Sequence, residues 1–173
     1  MKRVVIYAFE GMSLFHLSVP IAIFKDAQPQ KSNEFEVLIC SDNIGLLATA
    51  DGLKIDIQYE LDVIETADIF IVPSWQPEDQ PHESLLLLVR QLAAQGKLVI
   101  GLCLGAYVLA HSGVLEGKCA TTHWLFEADF AKRFPHVKFD SDPLYLIEGN
   151  IVTSAGTAAA IDCCLQIVKR LSG

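Results

Sequence analysis

One segment restricts this chain more than any other. Residues 98–110 read LVIGLCLGAYVLA: a short apolar run, a Gly-Leu-Cys-Leu-Gly turn, then a run that favours helix. Gly101 and Gly105 bracket Cys103, so the backbone can turn tightly from strand into helix and a neighbouring chain can come close. That is the geometry of a nucleophile elbow, with sulfur in place of a serine oxygen. The thiol of Cys103 is expected exposed in a cleft at a helix N-terminus, where free N–H groups and the helix dipole favour negative charge and raise the thiolate fraction. It is also expected at the carboxyl end of a central strand, where open α/β sheets place ligands. An inert buried cysteine is the ordinary alternative. The agreement of strand, paired glycines and helix favours the elbow.

An elbow needs a sheet to stand on. Apolar runs at 4–8, 35–40, 68–72 and 98–102 read as buried strands, and 137–139, 144–147 and 151–153 as shorter ones. Residues 46–50 and 53–57 flank Asp51-Gly52, a hairpin signal. Helical spacing covers 14–26, where Pro20 begins or kinks the helix, and 83–95, closed by Gly96. It returns at 105–112, at 122–134 before Pro135, and at 157–171. This alternation predicts an α/β fold: a flavodoxin-like, doubly wound, mainly parallel sheet sandwiched between helices. A length of 173 residues fits one domain, and 51% hydrophobic with 20% charged residues suits a sheet covered on both faces.

Charge and cysteines exclude other classes. The formal net charge is −8 with no run rich in Lys or Arg, so this piece is not expected to bind nucleic acid by itself. No apolar run reaches the roughly 20 residues a bilayer needs, and MKRVVIYAFEG reads as a first strand rather than a signal peptide. Five cysteines, an odd number without framework spacing, point to a reducing cytoplasm. No clustered His/Cys spacing suggests a metal site, and no cofactor is implied. The adjacent pair Cys163 and Cys164 is not expected to face the core together.

The segment GLCLGAYVLAHSGVLEGKCATTHW, residues 101–124, resembles the elbow of the ThiJ/PfpI (class I glutamine amidotransferase-like) superfamily. Within it, the chain is most similar to the N-terminal domains of AraC/XylS-type transcriptional regulators, the GlxA-like group. The likeness continues in SLFHLSVPIAIF from Ser13, VPSWQPEDQP from Val72, RFPHVKFDSDPLYLIEGNIVTSAGTAAAID from Arg133 and KR at Lys169. The ATTHW and TSAGTAAAID blocks belong to the branch that holds these regulators and the isocyanide hydratases. The resemblance implies one domain over residues 1–173 that senses a small-molecule effector, by family analogy a nitrogenous or amine compound, and forms a homodimer. It further implies a C-terminal helix-turn-helix domain as the only route to DNA, and the chain stops directly after its last helix, as a domain cut from a longer protein would.

The sequence departs from the hydrolytic pattern of that superfamily at two places. Hydrolytic members place a histidine after the elbow cysteine; here Leu104 stands there, so the usual base is missing. An acidic residue on the first helix is replaced by His16. Isocyanide hydratases keep the acid and follow the cysteine with a hydroxyl residue, so that activity is the weaker alternative, together with a redox-sensing cysteine. A pair of His16 and Cys103 would make a reactive thiolate, or His16 is simply a tolerated polar ring. His123 is either a ligand contact or a helix-start hydrogen bond. Trp75 stacks on a ligand or packs its own loop. Gly156 and Thr157 offer free N–H groups to an anion or merely cap the last helix. Ligand-pocket candidates are therefore Trp75, Leu104, His123, Gly156 and Thr157 around Cys103 and His16. His82, His111 and His136 read as surface or capping residues.

Overall fold

The computed structural model describes residues 1–26 and 34–172. The elements run β1 (Lys2–Tyr7), α1 (Leu14–Asp26), β2 (Phe35–Cys40), β3 (Gly45–Ala48), β4 (Lys54–Ile57), β5 (Ile69–Val72), α2 (Glu83–Ala94) and β6 (Leu98–Gly101). They continue with α3 (Ala106–Ser112), β7 (Cys119–Ala120), α4 (Glu127–Arg133), β8 (Lys138–Phe139), β9 (Tyr145–Glu148), β10 (Ile151–Ser154) and α5 (Ala159–Ser172). Short 3-10 turns occupy Leu61–Thr66, Cys103–Gly105 and Trp124–Phe126.

The main sheet has the order β2-β1-β5-β6-β10-β9. Every pair in it is parallel except β10 with β9, which forms a hairpin at one edge. Among the parallel strands the order is that of a flavodoxin-like doubly wound sheet. The expected hairpin is β3–β4, in register from Gly45 opposite Ile57 to Ala48 opposite Lys54. The two-residue β7–β8 pair was not foreseen, being too short to leave a periodicity.

The strands are apolar on both faces because helices cover both. Val5, Tyr7, Phe70, Val72 and Val99 pack with α2, α3 and α4. Val4, Ile6, Ile69, Ile71, Ile100 and Val152 pack with α1 and α5 on the other side. This is the period-two alternation of a pleated strand.

Three expectations need correction. Cys163 and Cys164 are both fully buried. Adjacent helical residues point about 100° apart, but α5 is wedged between the sheet and α1, so both directions meet protein. The helix expected over 122–134 breaks into a 3-10 turn and α4, because His123 is extended and its ring nitrogen accepts the Leu125 N–H at 3.2 Å. The last helix starts at Ala159 rather than at residue 157, because Thr157 has a left-handed φ of 50°. Pro20 lies inside α1 and removes the N–H that would bond the His16 carbonyl, without ending the helix.

Candidate functional site

Cys103 follows β6 with φ of 50°, in a region non-glycine residues seldom occupy. Such strain, of order 1–3 kcal/mol, persists only where the surroundings enforce it. Here Leu102 N–H donates to the Val72 carbonyl at 2.9 Å and Gly105 N–H to the Leu102 carbonyl at 2.7 Å. Cys103 N–H donates to Ser154 Oγ at 3.1 Å, and Thr122 Oγ1 donates to the Cys103 carbonyl at 2.8 Å. Both bracketing glycines are obligatory. A Cβ on Gly105 would stand 2.0 Å from the Val72 carbonyl oxygen, and one on Gly101 would stand 2.9 Å from Ala106 N. The elbow expected from the sequence is the one the chain forms.

The environment of the sulfur differs from expectation. Cys103 is 1% exposed, so the thiol is not open in a cleft. Burial pushes its pKa up; the N–H groups of Thr157 and Leu104, which point at the sulfur, offset only part of that. Desolvation of the thiolate outweighs the amides, and the group is a neutral thiol at neutral pH. The expected rise in thiolate fraction is therefore overturned.

The structure gathers most of the residues named from the sequence. The His123 ring lies against the Cα of Gly156, where a Cβ would sit 2.4 Å from Cδ2, so Gly156 is required for the turn to pass under the imidazole. Thr157 follows with its N–H on the sulfur. His16, half-buried on α1, is close enough to His123 to feel its charge. Neither ring nitrogen of His16 has a hydrogen-bond partner, and the ring edge meets Phe15 at 5.6 Å. Desolvation, then the charge of His123, lowers its pKa; Asp51 opposes weakly. His16 is a neutral imidazole, so it forms no imidazolium partner for a thiolate.

Trp75 is turned away from this cluster. It is buried between Phe9 and Tyr7, with ring centroids 5.2 and 6.3 Å away, and its indole N–H donates to the Asp79 carbonyl at 2.9 Å. That is the loop-packing environment. Leu104 contributes its backbone N–H to the sulfur while its side chain packs on the core beside α3. His82 caps α2 through Nδ1, as a capping residue.

Three hydroxyls escaped sequence reasoning. Thr122 and Ser154 hold the elbow's carbonyl and N–H, and Thr153 Oγ1 accepts the Thr121 N–H at 3.0 Å. All three sit in the ATTHW and TSAG blocks, so their signal was present, but as family pattern rather than as spacing. Chemically, the site offers a strained, buried, protonated thiol, with His123 packed on the Gly156 turn and a neutral His16 close to His123. Among the described residues no side chain is hydrogen-bonded to the sulfur, and no group of three His, Cys, Asp or Glu is arranged around a metal.

A cysteine on a strained strand-to-helix turn, at the carboxyl edge of a doubly wound sheet, defines an amidotransferase-like α/β domain. The chain belongs to the DJ-1/PfpI family, whose model matches residues 2–170. It is 28% identical over 136 residues to the HTH-type transcriptional regulator CdhR of Pseudomonas aeruginosa, covering 78% of this chain and 40% of that protein. It is 34% identical over 91 residues to the isonitrile hydratase of Pseudomonas putida, covering 53% of this chain and 39% of that one. The chain thus spans about two fifths of the length of both relatives. The crystal structure of an AraC family transcriptional regulator from Pseudomonas putida superposes with a TM-score of 0.87 at 21% identity, over 100% of this chain and 94% of that one. That likeness establishes the fold. Among the described residues no helix is long and apolar enough to cross a membrane.

Proposed function

We propose that this chain is the effector-sensing and dimerisation domain of an AraC-type regulator, working in the cytoplasm and reaching DNA only through a separate helix-turn-helix domain. One observation carries the reading. The elbow is intact, yet its thiol is buried, neutral and without a hydrogen-bonded base. Cysteine catalysis needs an activated nucleophile, and this arrangement withholds activation while keeping the frame. The regulator relatives support the reading, and so does a net charge of −8, which disfavours direct contact with phosphates. The pocket of the elbow would be lined by His16, His123, Gly156 and Thr157.

The rival is a hydratase like the isonitrile hydratase relative, acting through Cys103. Incubation of the purified domain with an alkyl isonitrile, followed by formamide quantification, separates the two. The regulator reading expects no product above buffer and a dimer of twice the monomer mass by light scattering. Turnover that disappears in Cys103→Ser would establish the enzyme instead.

A further inference from the structure

At the amino end of β10, the opposite end of the strands from Cys103, lies an open groove of about 470 Å³, lined by Arg90, Ala94, Val114, Glu116, Lys118, Asn150 and Ile151 among others. Its size falls within the range of small-molecule sites. Its walls are fixed. The Asn150 side-chain amide donates to the Ala93 carbonyl at 3.0 Å and the Lys97 carbonyl at 2.8 Å, tying the β9–β10 turn to the end of α2. Arg90 is held by Glu83 and reaches the Ser112 carbonyl at 3.5 Å, which ties α2 to the end of α3.

The charges of the groove are of both signs, and two of them are unused. Among the described residues neither the Lys118 ammonium nor the Glu116 carboxylate has an ion-pair or hydrogen-bond partner. Arg90 keeps guanidinium donors beyond those already engaged. Helices α2 and α3 both end on this wall, at Ala94 and Ser112, where Asn150 and Arg90 take up the Ala93 and Ser112 carbonyls. Ala94, Val114 and Ile151 add apolar surface to the same groove.

We propose that this groove is a second small-molecule site that takes a short zwitterion. The carboxylate sits on Lys118 and Arg90, the ammonium on Glu116, and a chain of a few methylenes on the apolar lining. Two opposite fixed charges favour a ligand carrying both over a ligand carrying either, because a half-ligand leaves one groove charge without its match. The inference stands apart from the regulator reading, since such a groove binds its ligand whatever the elbow does.

The test is a titration of the ¹⁵N-labelled chain with 5-aminovalerate, pentanoate and pentylamine, read by amide shifts. Aminovalerate is expected to give saturable shifts at Gly113, Val114, Glu116, Lys118 and Ile151, with affinity about tenfold above either half-ligand. Lys118→Glu is expected to weaken it by about tenfold or more, and Glu116→Gln to erase its advantage over pentanoate, both with unchanged melting temperature. No saturable shift up to about 20 mM overturns the proposal, as does indifference to Lys118→Glu. Shifts centred on His123, Gly156 and Thr157 overturn it too, and leave the regulator reading standing.

Discussion

Gly105→Ala is the most direct probe of the elbow. The added Cβ would meet the Val72 carbonyl oxygen at 2.0 Å and its carbon at 2.9 Å, where ordinary contact begins near 3.4 Å. More than an ångström must open between the turn and β5. Neither side yields cheaply, because both are backbone and β5 is paired on both edges, with β1 and with β6. Overpacking costs about 1–3 kcal/mol, and backbone against backbone belongs at the top of that range. The 2.9 Å bond from Leu102 N–H to Val72 O is also broken, worth about 1 kcal/mol. A loss of about 4 kcal/mol follows, or roughly 8–16 °C in melting temperature for a domain of this size. Gly113→Ala is the control. Gly113 has φ of 85° with nothing within 4 Å of the new Cβ, so only conformational strain of about 1–2 kcal/mol applies. Urea unfolding of both variants reads the difference. If Gly105→Ala costs no more than Gly113→Ala, the close approach of the elbow to β5 does not exist in solution.

Thiol labelling of the native domain with iodoacetamide should modify the half-buried Cys119 before Cys103, and Cys103 more slowly than free cysteine at neutral pH; peptide mass spectrometry showing Cys103 first would refute its burial. Thr122→Val leaves the buried Cys103 carbonyl without its donor and should cost about 1–3 kcal/mol in urea unfolding, whereas a neutral effect would show that the hydroxyl does not hold the elbow. His16 and His111 both have pKa values below the ordinary 6.5, each chiefly through burial. Folding therefore excludes protons that the unfolded chain takes up, so their contribution is complete above that value and is lost as pH falls through it. The urea midpoint should drop as pH falls below about 6.5, and the His16→Gln/His111→Gln double variant should flatten that drop.

The frame of this molecule was legible because two periodicities alternate cleanly. Val4 and Ile6 against Val5 and Tyr7 mark a strand covered on both faces, and Gly101 and Gly105 mark a turn pressed on its neighbour. What resisted reading depends on contacts far apart in the chain. Cys103 is buried, and the Thr157 N–H at its sulfur comes from a turn more than 50 residues away that no local pattern reports. Trp75 had equal claims to a pocket and to its own loop until Phe9 and Tyr7 were seen against it. Cys163 and Cys164 are both buried because α1 covers a second side of α5, which a single helix pattern does not reveal. Glu116 and Lys118 carry no motif, and only the groove they share with the ends of α2 and α3 singles them out.

The strained turn at Cys103 is clamped by hydroxyls of Thr122 and Ser154 and by the backbone of β5, none of which belongs to position 16 or 104. The hydrogen bonds that clamp the turn therefore do not depend on the side chains at those two positions. Substitutions there would change what surrounds the sulfur while the turn that carries it stays in place.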